Sequence, residues 1–68
     1  MNHLAAYLIR INELLSNAEL CRFSAKHSKD SRTRFGYICS GERNLRDART
    51  VITWADQAVA KLKAKGRA

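Results

Sequence analysis

Leu45-Arg46-Asp47-Ala48-Arg49-Thr50-Val51-Ile52-Thr53-Trp54-Ala55-Asp56-Gln57-Ala58-Val59-Ala60-Lys61-Leu62 decides the fold. In it Leu45, Ala48, Ile52, Ala55, Val59 and Leu62 follow at steps of three, four, three, four and three. That alternation marks a helix packed lengthwise on another helix. Val51 and Ala58 flank the stripe, and the small Ala48, Ala55 and Ala58 invite close approach by a partner helix. Lys61, Lys63 and Lys65 fall where cations complement a helix C-terminus, and Gly66 is a natural stop. The reading is a helix over about 42–65, capped from Ser40 or from Asn44 with Asp47.

Working toward the N-terminus, residues 3–25 contain neither Gly nor Pro. Leu4, Leu8, Ile11, Leu15 and Ala18 lie on one stripe, which Tyr7, Leu14 and Cys21 widen to the breadth of a bundle helix. Ala5, Ile9, Leu20 and Phe23 point another way. Arg22 falls on the main stripe, so this helix is expected to fray between Arg22 and His27. The segment 26–41 is polar and basic, then apolar over Phe35-Gly36-Tyr37-Ile38-Cys39, and Ser40-Gly41 reads as a break. It is either a short third helix from about Asp30 to Cys39 or an extended strap.

The expected fold is therefore all-α: one domain over 1–68, an antiparallel two-helix hairpin joined by a basic connector. A chain of 68 residues buries only about 60% of its unfolded surface, so it is marginal alone. Two helices cannot cover both apolar strips of the first one. The expectation is a homodimer forming a four-helix bundle, with Ile9, Leu20, Phe23 and Trp54 in self-association. Trp54 lies at the edge of the apolar face, and Tyr7 is expected to meet the C-terminal half of the second helix, close to Trp54 or Val59.

Charge is uneven. The chain carries 13 Lys and Arg against 6 Asp and Glu, net +7. Residues 22–49 hold net +5 and the tail from Lys61 net +4, whereas 1–21 and 50–60 are each net −1. The basic cluster gathers at the connector end. Arg32, Arg34, Arg43 and Arg46 are expected to contact acidic groups, with Phe35 and Tyr37 as apolar anchors. The favoured partner is an acidic protein surface, and the expected function is a small non-enzymatic regulator or inhibitor. One alternative is nucleic-acid binding, with the Arg/Lys cluster on phosphates and an aromatic ring stacking. A second is capture of an anionic, phosphorylated small molecule by arginine forks at a helix N-terminus.

Catalysis finds little support. Cys21, His27 and Cys39 offer a thiol and a base without a placed orienting group. Their spacing matches no metal pattern, and His3 lies at the far end of the first helix, so neither a metal nor a cofactor is expected. The opening Met1-Asn2-His3-Leu4-Ala5-Ala6-Tyr7-Leu8-Ile9 meets Arg10 at once, unlike a secretory leader, and no run approaches the roughly 20 apolar residues of a spanning helix. No membrane role, a cytoplasmic location and reduced thiols are expected.

Overall fold

A computed structural model describes residues 3–67 as two helices, α1 (His3–His27) and α2 (Ser31–Arg67), packed as an antiparallel hairpin. The hairpin is a rod 58 Å long and about 15 Å across. The all-helical hairpin stands as expected, and the residues 1, 2 and 68 of the expected 1–68 domain lie outside the described residues. Its connector is different. Residues 28–30 alone join the helices, and 31–41 belong to α2 without interruption. Neither a third helix nor a strap is present among the described residues.

The reason lies at the turn. Asp30 is the N-cap: its Oδ2 accepts from the Thr33 amide at 3.0 Å and from the Thr33 hydroxyl at 2.8 Å. That satisfies an amide left without a partner in the first turn of any helix. The Arg34 amide donates to the Asp30 carbonyl at 2.9 Å, closing the first turn. Ser40 and Asn44 therefore lie within the helix, where Asn44 Nδ2 donates to the Ser40 carbonyl at 3.0 Å. The expected cap at those residues is displaced ten or more positions upstream. Likewise α1 does not fray after Arg22. It holds to His27 because Ala25 is buried, while Lys26 and His27 sit favourably at the negative end of the helix. Gly66 is inside α2 rather than after it.

The seam between the helices keeps Ile11, Ala18, Ala48 and Ala55 of the two stripes and the residues expected to widen or flank them, but leaves most of the stripes' leucines and Ile52 outside. On α1 it follows Tyr7, Ile11, Leu14, Ala18, Cys21 and Ala25; on α2 it follows Gly41, Asn44, Ala48, Val51, Ala55 and Ala58. Leu14 and Ala48 are its most buried members, at 2% and 1% exposure, and with Val51 they form the core against which Tyr7 and Ile11 pack. Leu8 and Leu15 on α1, and Leu45, Ile52 and Leu62 on α2, are exposed instead. Ala48 and Ala55 belong to both lines, so periodicity alone cannot separate them. Size does: Gly41, Ala48 and Ala55 bring the helix backbones close, and bulky neighbours are left at the edge.

Antiparallel helices in such a seam have two distinct edges. One carries Arg10, Asp47 and Trp54, which share a groove with Thr50, Leu14 and Val51. The other carries Arg22 and Ile38, which share a groove with Ala25, Lys26 and Arg34. Leu8 and Leu15 precede Arg22 at seven-residue steps, and Leu45, Ile52 and Val59 follow Ile38 at the same step. These residues therefore line the second edge.

Candidate interaction surface

The surface is assembled from the turn outward. Ser28 ends α1 by donating its hydroxyl to the Ser24 carbonyl at 2.7 Å and its amide to the Ala25 carbonyl at 3.3 Å. The Ser28 carbonyl in turn accepts from Arg34 Nη2 at 2.9 Å. Arg34 thus clasps the end of α1 to the start of α2. Asp30 is held below its ordinary carboxylate value, chiefly by the Thr33 hydroxyl and then by the Thr33 amide. The turn is a set of local bonds that fixes the direction of the first turns of α2.

On those turns Arg32, Phe35, Arg43 and Arg46 are all exposed and lie on the face of α2 turned away from α1. Cys39 sits between them on the same face. From Arg32 to Arg46 this face is about 21 Å long. Phe35 is 67% exposed. The only ion pair among the described residues joins Arg10 and Glu13 on α1 at 3.3 Å. Arg32, Arg43 and Arg46 therefore keep guanidiniums that no carboxylate of the described chain neutralises. Arg34 and Tyr37 are placed differently from the other four. Arg34 is engaged with Ser28, and Tyr37 lies in the line of the seam toward the turn, exposed at its end.

Of the residues expected to self-associate, Ile9, Leu20 and Phe23 are exposed on the back of α1, where Ser16 interrupts them. Phe23 lies against His27 one turn later, ring centres 4.3 Å apart and planes tilted by 47°. Trp54 lies at the polar edge with its ring centre 6.1 Å from that of Tyr7, as the sequence suggested. It also borders an open groove with His3, Gln57 and Lys61.

Cys21 is half-buried in the seam with its sulfur 4.0 Å from Asn44 Nδ2, Cys39 is exposed, and both are free thiols. Among the described residues no group of three His, Cys, Asp or Glu side chains is placed to hold a metal ion. None of the described helices is long and apolar enough to cross a membrane.

The apolar edge formed by Leu8, Leu15, Ile38, Leu45 and Ile52 escaped the sequence reading, which had put four of these residues inside or beside the core. The signal was present in the small residues. Once Gly41, Ala48 and Ala55 are given the seam, Ile38, Leu45 and Ile52 fall outside it.

No protein-family model, no curated protein and no solved structure matches this chain.

Proposed function

We propose that the protein is a small non-enzymatic interaction module, a homodimeric regulator or inhibitor that docks on an acidic surface of a partner protein. Its contact surface is the outer face of α2 from Arg32 to Arg46, with Phe35 as the apolar anchor, Arg32 about one turn before it and Arg43 and Arg46 about two to three turns after it. The observation that carries this reading is Phe35, a large apolar ring left in water on the same face as three unpaired arginines. Aromatic and arginine side chains together dominate the energetics of protein interfaces. The 28–30 turn supports it by holding these residues on one stiff helix, which lowers the ordering cost of binding. Anion capture at the start of α2 is disfavoured, because Asp30 already occupies the Thr33 amide and places a negative charge there.

Fluorescence anisotropy tests this reading with two probes, an acidic amphipathic helical peptide and a short DNA duplex, each at low and moderate salt. The expected result is peptide binding that changes little with salt. It should be lost in Phe35→Ala and in the Arg43→Glu, Arg46→Glu double variant. Tight duplex binding that collapses with salt would replace this reading with phosphate-backbone recognition.

A further inference from the structure

The apolar edge of the hairpin has no cover within the chain. Leu8 and Leu15 from α1, and Ile38, Leu45 and Ile52 from α2, are exposed along it, and Val59 is half-buried. From Ile38 to Val59 the edge is about 30 Å long. Apolar surface of that extent is rare on an isolated monomer. The core beneath it consists of one leucine, one valine and several alanines, which is little to hold a chain of this size.

The outer border of the same edge on α2 is charged in strict alternation. Glu42, Arg49, Asp56 and Lys63 recur every seven residues, each one position beyond the apolar line on the helix surface, and all are exposed. None of the four is in an ion pair within the described chain. This order is self-complementary about a point between Arg49 and Asp56. We propose that a second copy of this chain covers the edge, with its α2 antiparallel across a two-fold axis level with Ile52. Ile52 then meets Ile52 of the second copy, and Leu45 meets Val59. Arg49 faces Asp56 across the axis, and Glu42 faces Lys63.

The charges select this register over its rivals. Moving the axis between Leu45 and Ile52 keeps the apolar line in contact but sets Arg49 against its own copy and Glu42 against Asp56. Like charges opposed in this way disfavour an interface. A parallel two-fold arrangement puts the two charged lines on opposite sides of the apolar contact, where none of the four charges meets its complement. The axis lies nearer the C-terminal end of α2, so the first turns of each copy, with Arg32 and Phe35, project beyond the partner helix. The dimer therefore carries the basic face at both ends. The inference deepens the homodimeric reading above and rests on it.

Cross-linking and charge exchange test the arrangement. In a Cys21→Ala, Cys39→Ser background, Ile52→Cys should form a disulfide dimer with oxidised glutathione as the oxidant, and Phe23→Cys should not. Arg49→Asp should weaken the dimer roughly tenfold or more, since two pairs turn repulsive. Adding Asp56→Arg should restore it. A dimer that cross-links through Phe23→Cys and ignores the Arg49 exchange would overturn this face while leaving dimerisation standing. A wild-type chain that scatters light as a single copy would overturn dimerisation itself, and this arrangement with it.

Discussion

Gly41 of α2 lies directly against Cys21 of α1: a Cβ on Gly41 would stand 3.4 Å from the Cys21 Cβ and 3.7 Å from the Ala18 carbonyl oxygen. This is the closest approach that a glycine makes in the hairpin, and it sets the separation of the helices near the turn. A methyl group there would be in ordinary contact, and alanine favours a helix over glycine by about 1 kcal/mol. Gly41→Ala should therefore raise the melting temperature. Gly41→Leu, which must push α1 away, should lower stability by about 1–3 kcal/mol. Thermal melts followed by circular dichroism decide both signs.

Leu14 should be the most costly single truncation. It is nearly fully buried at the centre of the only core cluster among the described residues. Leu14→Ala should cost about 2–5 kcal/mol, enough to unfold much of the population. Leu20→Ala, on the exposed back of α1, should change stability by no more than about 0.5 kcal/mol. Urea unfolding of the two variants side by side measures the contrast.

The cap at Asp30 predicts an acid sensitivity of a definite sign. Its folded value is lowered from the ordinary 3.8 by the Thr33 bonds. A lowered carboxylate stabilises the fold fully above its unfolded value and loses that contribution as pH falls through the folded value. Helicity of the wild type should therefore fall below about pH 4. Asp30→Asn, which retains a capping oxygen without the charge, should flatten Asp30's share of that response and remain well folded at neutral pH. Asp30→Ala should melt several degrees lower at neutral pH.

Arg34 should behave as part of the turn rather than as a docking residue. Removing its guanidinium frees the Ser28 carbonyl. Arg34→Ala should cost about 1 kcal/mol or less and speed amide exchange over residues 28–34. Binding to the acidic peptide should weaken far less than in Arg43→Glu, Arg46→Glu.

The helical hairpin was legible in the spacing of Leu45 through Leu62, and an antiparallel pairing narrowed the neighbour of Tyr7 to Trp54 or Val59, of which the ring contact is with Trp54. The turn was not legible. Gly36, Gly41 and Ser40 weaken helix propensity over 31–41, and their sum reads as a break. What carries the helix through is the Asp30 cap and the continuation of the seam at Gly41, a tertiary effect that local propensity does not contain. The core face was legible but its centre was not. Heptad spacing on α2 picks out Leu45, Ile52 and Leu62 with Ala48 and Ala55, whereas the helices approach along the smaller Gly41, Ala48 and Ala55 and leave the three large residues exposed. Arg32, Phe35, Arg43 and Arg46 were visible as a basic and aromatic cluster. Their common face emerged only once 31–41 was continuous with the rest of α2. The edge through Ile52 became visible only when the seam was known.

The central claim is that this hairpin is half of a bundle completed along the Ile52 edge. Sedimentation equilibrium of the wild type, Ile52→Glu and Phe23→Glu measures it most directly. The predicted result is twice the 7.7 kDa chain mass for the wild type and Phe23→Glu, and the single-chain mass for Ile52→Glu. A wild type and an Ile52→Glu variant of equal mass, with Phe23→Glu alone dissociating, would contradict it.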